Sequence, residues 1–180
     1  MSIGLVRHFK VLHPPTGAWM TGKQFDHWVE GYNQAEIDTS SYTAYDHIKW
    51  DVCLSSDLYR AAKTATFFHT GSIEQTERLR EVDMKGVGPA KLRLPYSLWL
   101  VAARIAWYYS HPSQPEGRGE TEARAAAIIS QIEEDYRGLN VLVVSHGGIM
   151  KSLTRELFSR GYQGDRFIRP PNGKLYIYNK

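Results

Sequence analysis

Three stretches of the chain are apolar without a break long enough to suggest a loop: Ile3 to Val6, Val52 to Leu54, and Asn140 to Val144. Short runs of this kind, rich in β-branched residues, read as buried strands. The second run ends in Ser55, Ser56 and Asp57, residue types that cap helices. A helix is predicted to open there, with Leu58, Ala61, Ala62 and Ala65 on one face. Strand, turn and helix in this order form the βα unit of a parallel sheet. From Thr121 the spacing of Ala125, Ile128, Ile129, Ile132 and Tyr136 predicts an amphipathic helix. Another helix is expected from Ile149 to Phe158, and a short one from Gln24 to Glu30, where Phe25, Trp28 and Val29 fall on one side. Tyr96 to Tyr109 is apolar enough for a helix packed over the sheet, with Trp99, Trp107, Tyr108 and Tyr109 in the core. Thr76 to Val82 reads as a short extended piece that carries Glu81 and Asp83 to a loop containing Gly86 and Gly88. Leu175 to Tyr178 would close the sheet as an edge strand. Val11 to Thr21, with Pro14, Pro15 and Gly17, reads as loop, and Gln34 to Tyr45 has no regular pattern.

A chain of 180 residues fits one domain, 1–180, with a core that needs no staples. The net charge of +3 is mild and no Lys/Arg block stands out, so nucleic acid is not indicated as a partner. A single cysteine, Cys53, rules out an internal disulfide and fits a reducing compartment. The first residues lack the pattern of a signal peptide, and Leu98 to Tyr109 is too short for a membrane span and carries Arg104. A soluble, cytoplasmic protein is expected, with no membrane partner.

The candidate chemistry lies at the ends of the apolar runs. Arg7 and His8 follow the first; Ser55, Ser56 and Asp57, with Arg60 beyond them, follow the second; His146, Gly147 and Gly148 follow the third. In open α/β sheets, ligands bind at the carboxyl ends of the strands, where helix N-termini also favour anions. A cation in the first helical turn opposes the helix dipole, so Arg60 calls for a bound anion. Two arginines and two histidines brought together there describe a phosphate site with a nucleophile in it. His13, His27, His47, His69 and His111 show no metal-ligand spacing and read as surface or loop residues. Cys53, inside a strand, reads as a buried structural thiol.

The segments LVRH (Leu5 to His8), SSDLYRAAKTA (Ser55 to Ala65), LRE (Leu79 to Glu81) and VVSHGG (Val143 to Gly148) resemble the histidine phosphatase superfamily, the phosphoglycerate mutase-like proteins. They occur in that family's order and span nearly the whole chain. The resemblance implies a three-layer α/β/α sandwich with a mostly parallel central sheet. It also implies phosphoryl transfer through a phosphohistidine, with no metal and no cofactor. By this resemblance His8 is the nucleophile, and Arg7, Arg60 and His146 complete the phosphate pocket. Glu81 stands in the place of the proton donor, with Asp83 as the reserve. The family continues from its RH pair with glycine and polar residues, where this chain has Phe9 and Lys10. Phenylalanine lacks glycine's backbone freedom, but the catalytic four are present, so an active, atypical member is expected, with a reduced or unusual substrate range left open. Three readings stand at this point: a metal-independent phosphatase acting on a small phosphorylated metabolite, a mutase, or a phospho-ligand binding protein of weak activity. The loops Val11 to Tyr45 and Gly86 to Tyr96 are expected to line the pocket entrance. Nothing in the sequence encodes an oligomeric state.

Overall fold

Successive residues of a strand point to opposite faces, and here both faces are apolar, so the sheet must be covered on both sides. The computed structural model describes residues 1–14, 16–40, 42 and 48–180. Of the residues singled out above, Pro15, Tyr45 and His47 lie outside the described residues. The elements in chain order are β1 (Ser2–Arg7), β2 (Lys10–Val11), β3 (Trp19–Thr21), α1 (Gly22–Gln34), β4 (Ile37–Asp38), β5 (Val52–Ser56), α2 (Tyr59–Phe68), β6 (Ile73–Thr76), a 3₁₀ turn (Glu77–Leu79), β7 (Arg93–Pro95), α3 (Tyr96–Tyr108), α4 (Arg118–Asp135), β8 (Val141–Ser145), α5 (Gly147–Ser159), β9 (Gln163–Gly164) and β10 (Leu175–Asn179).

The central sheet has six strands in the order β6-β5-β8-β1-β10-β9. From β6 to β1 all neighbours are parallel; β10 runs antiparallel to both β1 and β9. Along β8, Val141 and Val143 join Ile3, Leu5, Ile129 and Leu153 under α4 and α5, while Leu142 and Val144 join Val6, Cys53, Ala61 and Ala65 under α2. Burying such an aliphatic side chain contributes roughly 1.5–3 kcal/mol, so both faces hold the strand in one register. The three-layer, mostly parallel α/β/α arrangement is the one implied by the family resemblance.

Several boundaries differ from the sequence reading. Ser55 and Ser56 continue β5 and are fully buried, and the residue before α2 is Leu58, which makes no side-chain cap. Neither serine is an N-cap, and Asp57 is ion-paired with Arg80 instead. The extended piece lies earlier than expected, at Ile73–Thr76, because Glu77–Leu79 tightens into a 3₁₀ turn. Helices α4 and α5 begin at Arg118 and Gly147, before Thr121 and Ile149, and α1 is longer than Gln24 to Glu30 at both ends. The expected loop from Val11 contains residues of two small ribbons, β2 with β4 and β3 with β7. β10 is not the edge strand: the two residues of β9 lie outside it.

The largest correction concerns α3. It packs on α1 and the β3–β7 ribbon rather than over the sheet, whose faces are already filled by α2 and by α4 with α5. Trp99 is the core residue expected, but Trp107 is half-buried, and Tyr108 and Tyr109 are exposed. Among the described residues no helix is long and apolar enough to cross a membrane.

Candidate active site

The register of the sheet sets the geometry. Arg7 is opposite Ser145, and the His8 amide extends the pairing by donating to the Ser145 carbonyl at 2.9 Å. β5 flanks β8 on its other side, so Arg7-His8, Ser56 and His146 all emerge at neighbouring carboxyl ends. The rings of His8 and His146 lie 5.0 Å apart, centroid to centroid, and both are buried. Nδ1 of His8 is 2.6 Å from the carbonyl oxygen of Phe9. A carbonyl can only accept, so Nδ1 carries the proton and Nε2 keeps its lone pair. The Asn172 side chain donates to the His8 carbonyl at 2.7 Å and fixes the backbone on the other side. His146 is engaged through its other nitrogen, Nε2. Ser56 Oγ accepts from the Leu58 amide at 3.3 Å and lies 2.9 Å from His146 Nε2. With Ser56 as the donor of that pair the ring hydrogen sits on Nδ1, as in His8, and Nδ1 is buried with no partner among the described residues.

Two guanidiniums complete the set. Arg7 donates from Nη1 to the Pro170 carbonyl at 2.9 Å, and Arg60, 2% exposed, donates to Asn33 Oδ1 at 2.7 Å and lies 5.0 Å over the Tyr32 ring. Among the described residues neither is in an ion pair. Burial, and then the charge of Arg60, push the His8 imidazole well below its ordinary pKa. Burial, Arg60 and the His8 ring do the same to His146. Both rings are therefore neutral at neutral pH. Burial lowers Arg7 and Arg60 as well, but a guanidinium stays charged in a protein. Of the five buried side-chain polar atoms left without a partner among the described residues, three are here: Arg7 Nε, Arg60 Nε and His146 Nδ1. Native proteins seldom leave such groups unpaired except where a ligand takes them, and donors around two uncompensated cations fit an oxyanion.

Glu81 reaches the same place from the other side. Its carboxylate accepts from the amides of Val82 at 3.0 Å, Gly148 at 2.9 Å and Ile149 at 3.1 Å, and so caps the first turn of α5. A Cβ on residue 148 would overlap Glu81 Oε1, so glycine is required for this close approach. The approach to Glu81 is held at several points. Ser145 Oγ donates to the Leu79 carbonyl at 2.7 Å, and Arg124 donates to the carbonyls of Arg78 and Arg80 at 2.7 and 2.8 Å. Arg80 pairs in a fork with Asp57 and holds that carboxyl below its ordinary pKa. Asp83 is exposed and makes none of these contacts. The fold thus unites Arg7, His8, Arg60, Glu81 and His146, and leaves Asp83 outside. Among the described residues no three His, Cys, Asp or Glu side chains converge as metal ligands would.

The family model of the histidine phosphatase superfamily (branch 1) matches residues 3–179. The chain belongs to this superfamily. None of the curated proteins is similar enough in sequence to match it. Among solved structures it resembles the mycobacterial glucosyl-3-phosphoglycerate phosphatase, with a TM-score of 0.60 and 19% identity over 98% of this chain and 88% of that one. It also resembles the α-ribazole phosphatase of Shigella flexneri, with a TM-score of 0.62 and 20% identity over 98% of this chain and 89% of that one. At these identities the likeness is one of fold.

In this member of the superfamily the residue after the RH pair is Phe9, and its side chain is spent on packing. It is fully buried against Val11, Ile37, Phe67 and Phe68, while its amide donates to Thr64 Oγ1 at 2.9 Å and its carbonyl receives His8 Nδ1. Residue 9 has no positive φ, so the backbone freedom of glycine is not used here. Thr64 also donates to the Arg60 carbonyl at 2.6 Å, which ties α2 to the strand end bearing His8. The sequence reading passed over Thr64, although its place one turn after Arg60 was a signal. Tyr32, Asn33 and Asn172 had no signal: they reach the site only through the fold. His13, expected at the surface or in a loop, lies in a loop and packs against Trp28 with ring centroids 4.8 Å apart. The Cys53 thiol is buried and pushed up to about 12, as suits a structural residue.

Proposed function

We propose that the protein is a metal-independent phosphatase that hydrolyses a small phosphorylated metabolite through a phosphohistidine at His8. The observation that carries this reading is the ring of buried, unpartnered donors on Arg7, Arg60 and His146 around an unprotonated His8 Nε2. In the first step Nε2 attacks phosphorus and the P–O bond to the alcohol breaks. Glu81, in its protonated form, gives its proton to the departing oxygen. Arg7, Arg60 and the Nδ1–H of His146 hold the equatorial oxygens, an electrostatic arrangement already in place before substrate arrives. In the second step Glu81 takes a proton from water, the oxygen attacks phosphorus, and His8 leaves as neutral imidazole with inorganic phosphate released.

The position of Phe9 favours turnover over mere binding of a phospho-ligand, because the side chain that departs from the family pattern is spent on packing and not on blocking the pocket. Rapid quench into alkali with ³²P-labelled substrate tests the proposal. Base-stable, acid-labile label on the peptide containing His8 is expected, and it should vanish in His8→Ala. Turnover without label, or full activity in His8→Ala, would overturn the mechanism. Reaction in ¹⁸O-water separates hydrolysis, which places ¹⁸O in phosphate, from a mutase that returns the phosphoryl group to substrate.

A further inference from the structure

A strip of aromatic rings begins at the phosphate pocket and leads away from it. Arg60 lies over the Tyr32 ring at 5.0 Å; Tyr32 stacks on Trp28 at 5.6 Å and 24°; Trp28 meets Tyr96 at 4.3 Å. Trp28 and Tyr32 stand one turn apart on α1, and Tyr96 is the first residue of α3. Tyr32 rests on the cluster around Phe9, and Tyr96 on the cluster around Trp99. Trp28 bridges the two without belonging to either.

Packing alone does not account for the strip. In the same layer Phe25 and Trp99 are closed off, at 0% and 1% exposure, whereas Tyr32, Trp28 and Tyr96 all keep part of their surface open. The Tyr32 hydroxyl makes no hydrogen bond among the described residues, and the charges of Arg60, Arg7 and Glu81 all act on it. A row of partly open rings, one after another from the phosphate cations and with His13 packed against Trp28 at 4.8 Å, suits a ligand that carries a phosphate at one end and a flat ring some bonds away.

We propose that this strip is a ring-binding subsite, and that the protein selects phosphomonoesters whose alcohol bears an aromatic or heteroaromatic ring; the selection of substrates rests on the phosphatase reading above. The subsite acts on binding and not on the chemical step, so its effect should fall on KM.

Matched pairs of esters test this, because each pair shares the kind of alkoxide that leaves. Adenosine 5′-monophosphate is compared with ribose 5-phosphate, and benzyl phosphate with ethyl phosphate. The wild-type protein should prefer the ring-bearing member of at least one pair by tenfold or more in kcat/KM, mostly through KM. Trp28→Leu should bring that ratio to within threefold of unity, and Trp28→Phe should keep most of it. Ratios near one in the wild type would overturn the proposal. So would a Trp28→Leu variant that loses activity equally on both members of a pair, the mark of a structural role. If no ester is hydrolysed, the phosphatase reading fails, and fluorescence titration of the same compounds decides the subsite separately. Tenfold tighter binding of a ring-bearing ester, lost in Trp28→Leu, would sustain it; equal or absent binding would overturn it.

Discussion

The hydroxyl of Ser56 stands 2.9 Å from Nε2 of His146, and this contact decides which nitrogen of that ring meets the substrate. The Leu58 amide takes one of the hydroxyl's two lone pairs; with Ser56 as the donor to Nε2, His146 carries its own hydrogen on Nδ1. The residue types of a helix cap thus serve here to set a tautomer.

Ser56→Ala should therefore lower kcat/KM about tenfold, the effect of losing one hydrogen bond of about 1–1.5 kcal/mol that orients a reacting group. Ser56→Thr should recover part of the loss. Kinetics on the two variants, with thermal melts alongside, check this; a Ser56→Ala variant with full activity would show that Nδ1–H is set by something else.

Arg60→Ala should abolish most turnover while leaving the empty protein at least as stable. The guanidinium is buried without an ion pair and close to Arg7, an arrangement that costs stability until an anion arrives. Inorganic phosphate at 100 times its Kd should raise wild-type stability by about 2.7 kcal/mol. In Arg60→Ala the same phosphate concentration should raise it far less. Melting temperatures with and without phosphate measure both halves. Equal phosphate stabilisation in the two proteins would place the anion elsewhere.

Of the fold, the parts legible in the sequence were those whose pattern needs no partner to read: the two-sided apolar strands and the stripe from Ala125 to Ile132. The position of α3 was not legible, since an apolar helix does not say which surface it covers, and here the sheet had none left. The site divides the same way. Arg7, His8, Arg60 and His146 follow strands whose order the motifs implied. Tyr32 and Asn33 lie in the end of α1 beyond the stretch predicted as helix, and Asn172 in a turn, and only the closed structure brings them to the pocket. Ser56 was noticed for the wrong reason: its type matched a helix cap, but the strand runs on through it and buries it beside His146.

Gly148→Ala should act as an indirect mutation of Glu81. Alanine favours helices over glycine by up to about 1 kcal/mol, yet its Cβ would displace the carboxylate that caps α5. Turnover should fall most for substrates with poor leaving groups, as in Glu81→Gln, because a general acid matters least when the departing oxygen is already a stable anion. A loss of equal size for alkyl and aryl phosphates in both variants would count against Glu81 as the acid. If Asp83→Asn gave the graded loss, the role would pass to that exposed residue.

Acid should destabilise the empty protein through His8 and His146, both held well below the ordinary 6.5 by burial and the arginines. Above that value the imidazoles are neutral in both folded and unfolded chains, and these groups add no pH dependence. Below it the unfolded chain binds protons that the folded chain refuses, so stability falls as pH falls. The slope reaches up to about 1.4 kcal/mol per pH unit for each histidine, until the folded-state values are met. Urea midpoints between pH 7.5 and 5 should show the decline, smaller in His146→Asn and flattened by inorganic phosphate, which gives a protonated ring a partner. An unchanged slope in His146→Asn would mean that other groups set the acid response.

Restoring the family's glycine at position 9 should harm this protein. Phe9 is fully buried and meets Phe67 and Phe68 at centroid distances of 5.3 and 5.9 Å. Removing a buried phenylalanine costs about 3–5 kcal/mol, and glycine adds about 0.5–1 kcal/mol of backbone entropy. No catalytic gain offsets this, because residue 9 serves the site through its amide and carbonyl, which any residue supplies in a conformation without positive φ. Phe9→Leu, which keeps most of the buried volume, should cost only about 1–2 kcal/mol. Urea unfolding ranks the three proteins, and kcat/KM measured where all are folded shows whether the site changes. A Phe9→Gly protein that is stable and faster would mean that the aromatic ring obstructs the pocket; one that is unstable and no faster would show that this chain builds its site on a backbone its relatives obtain with glycine.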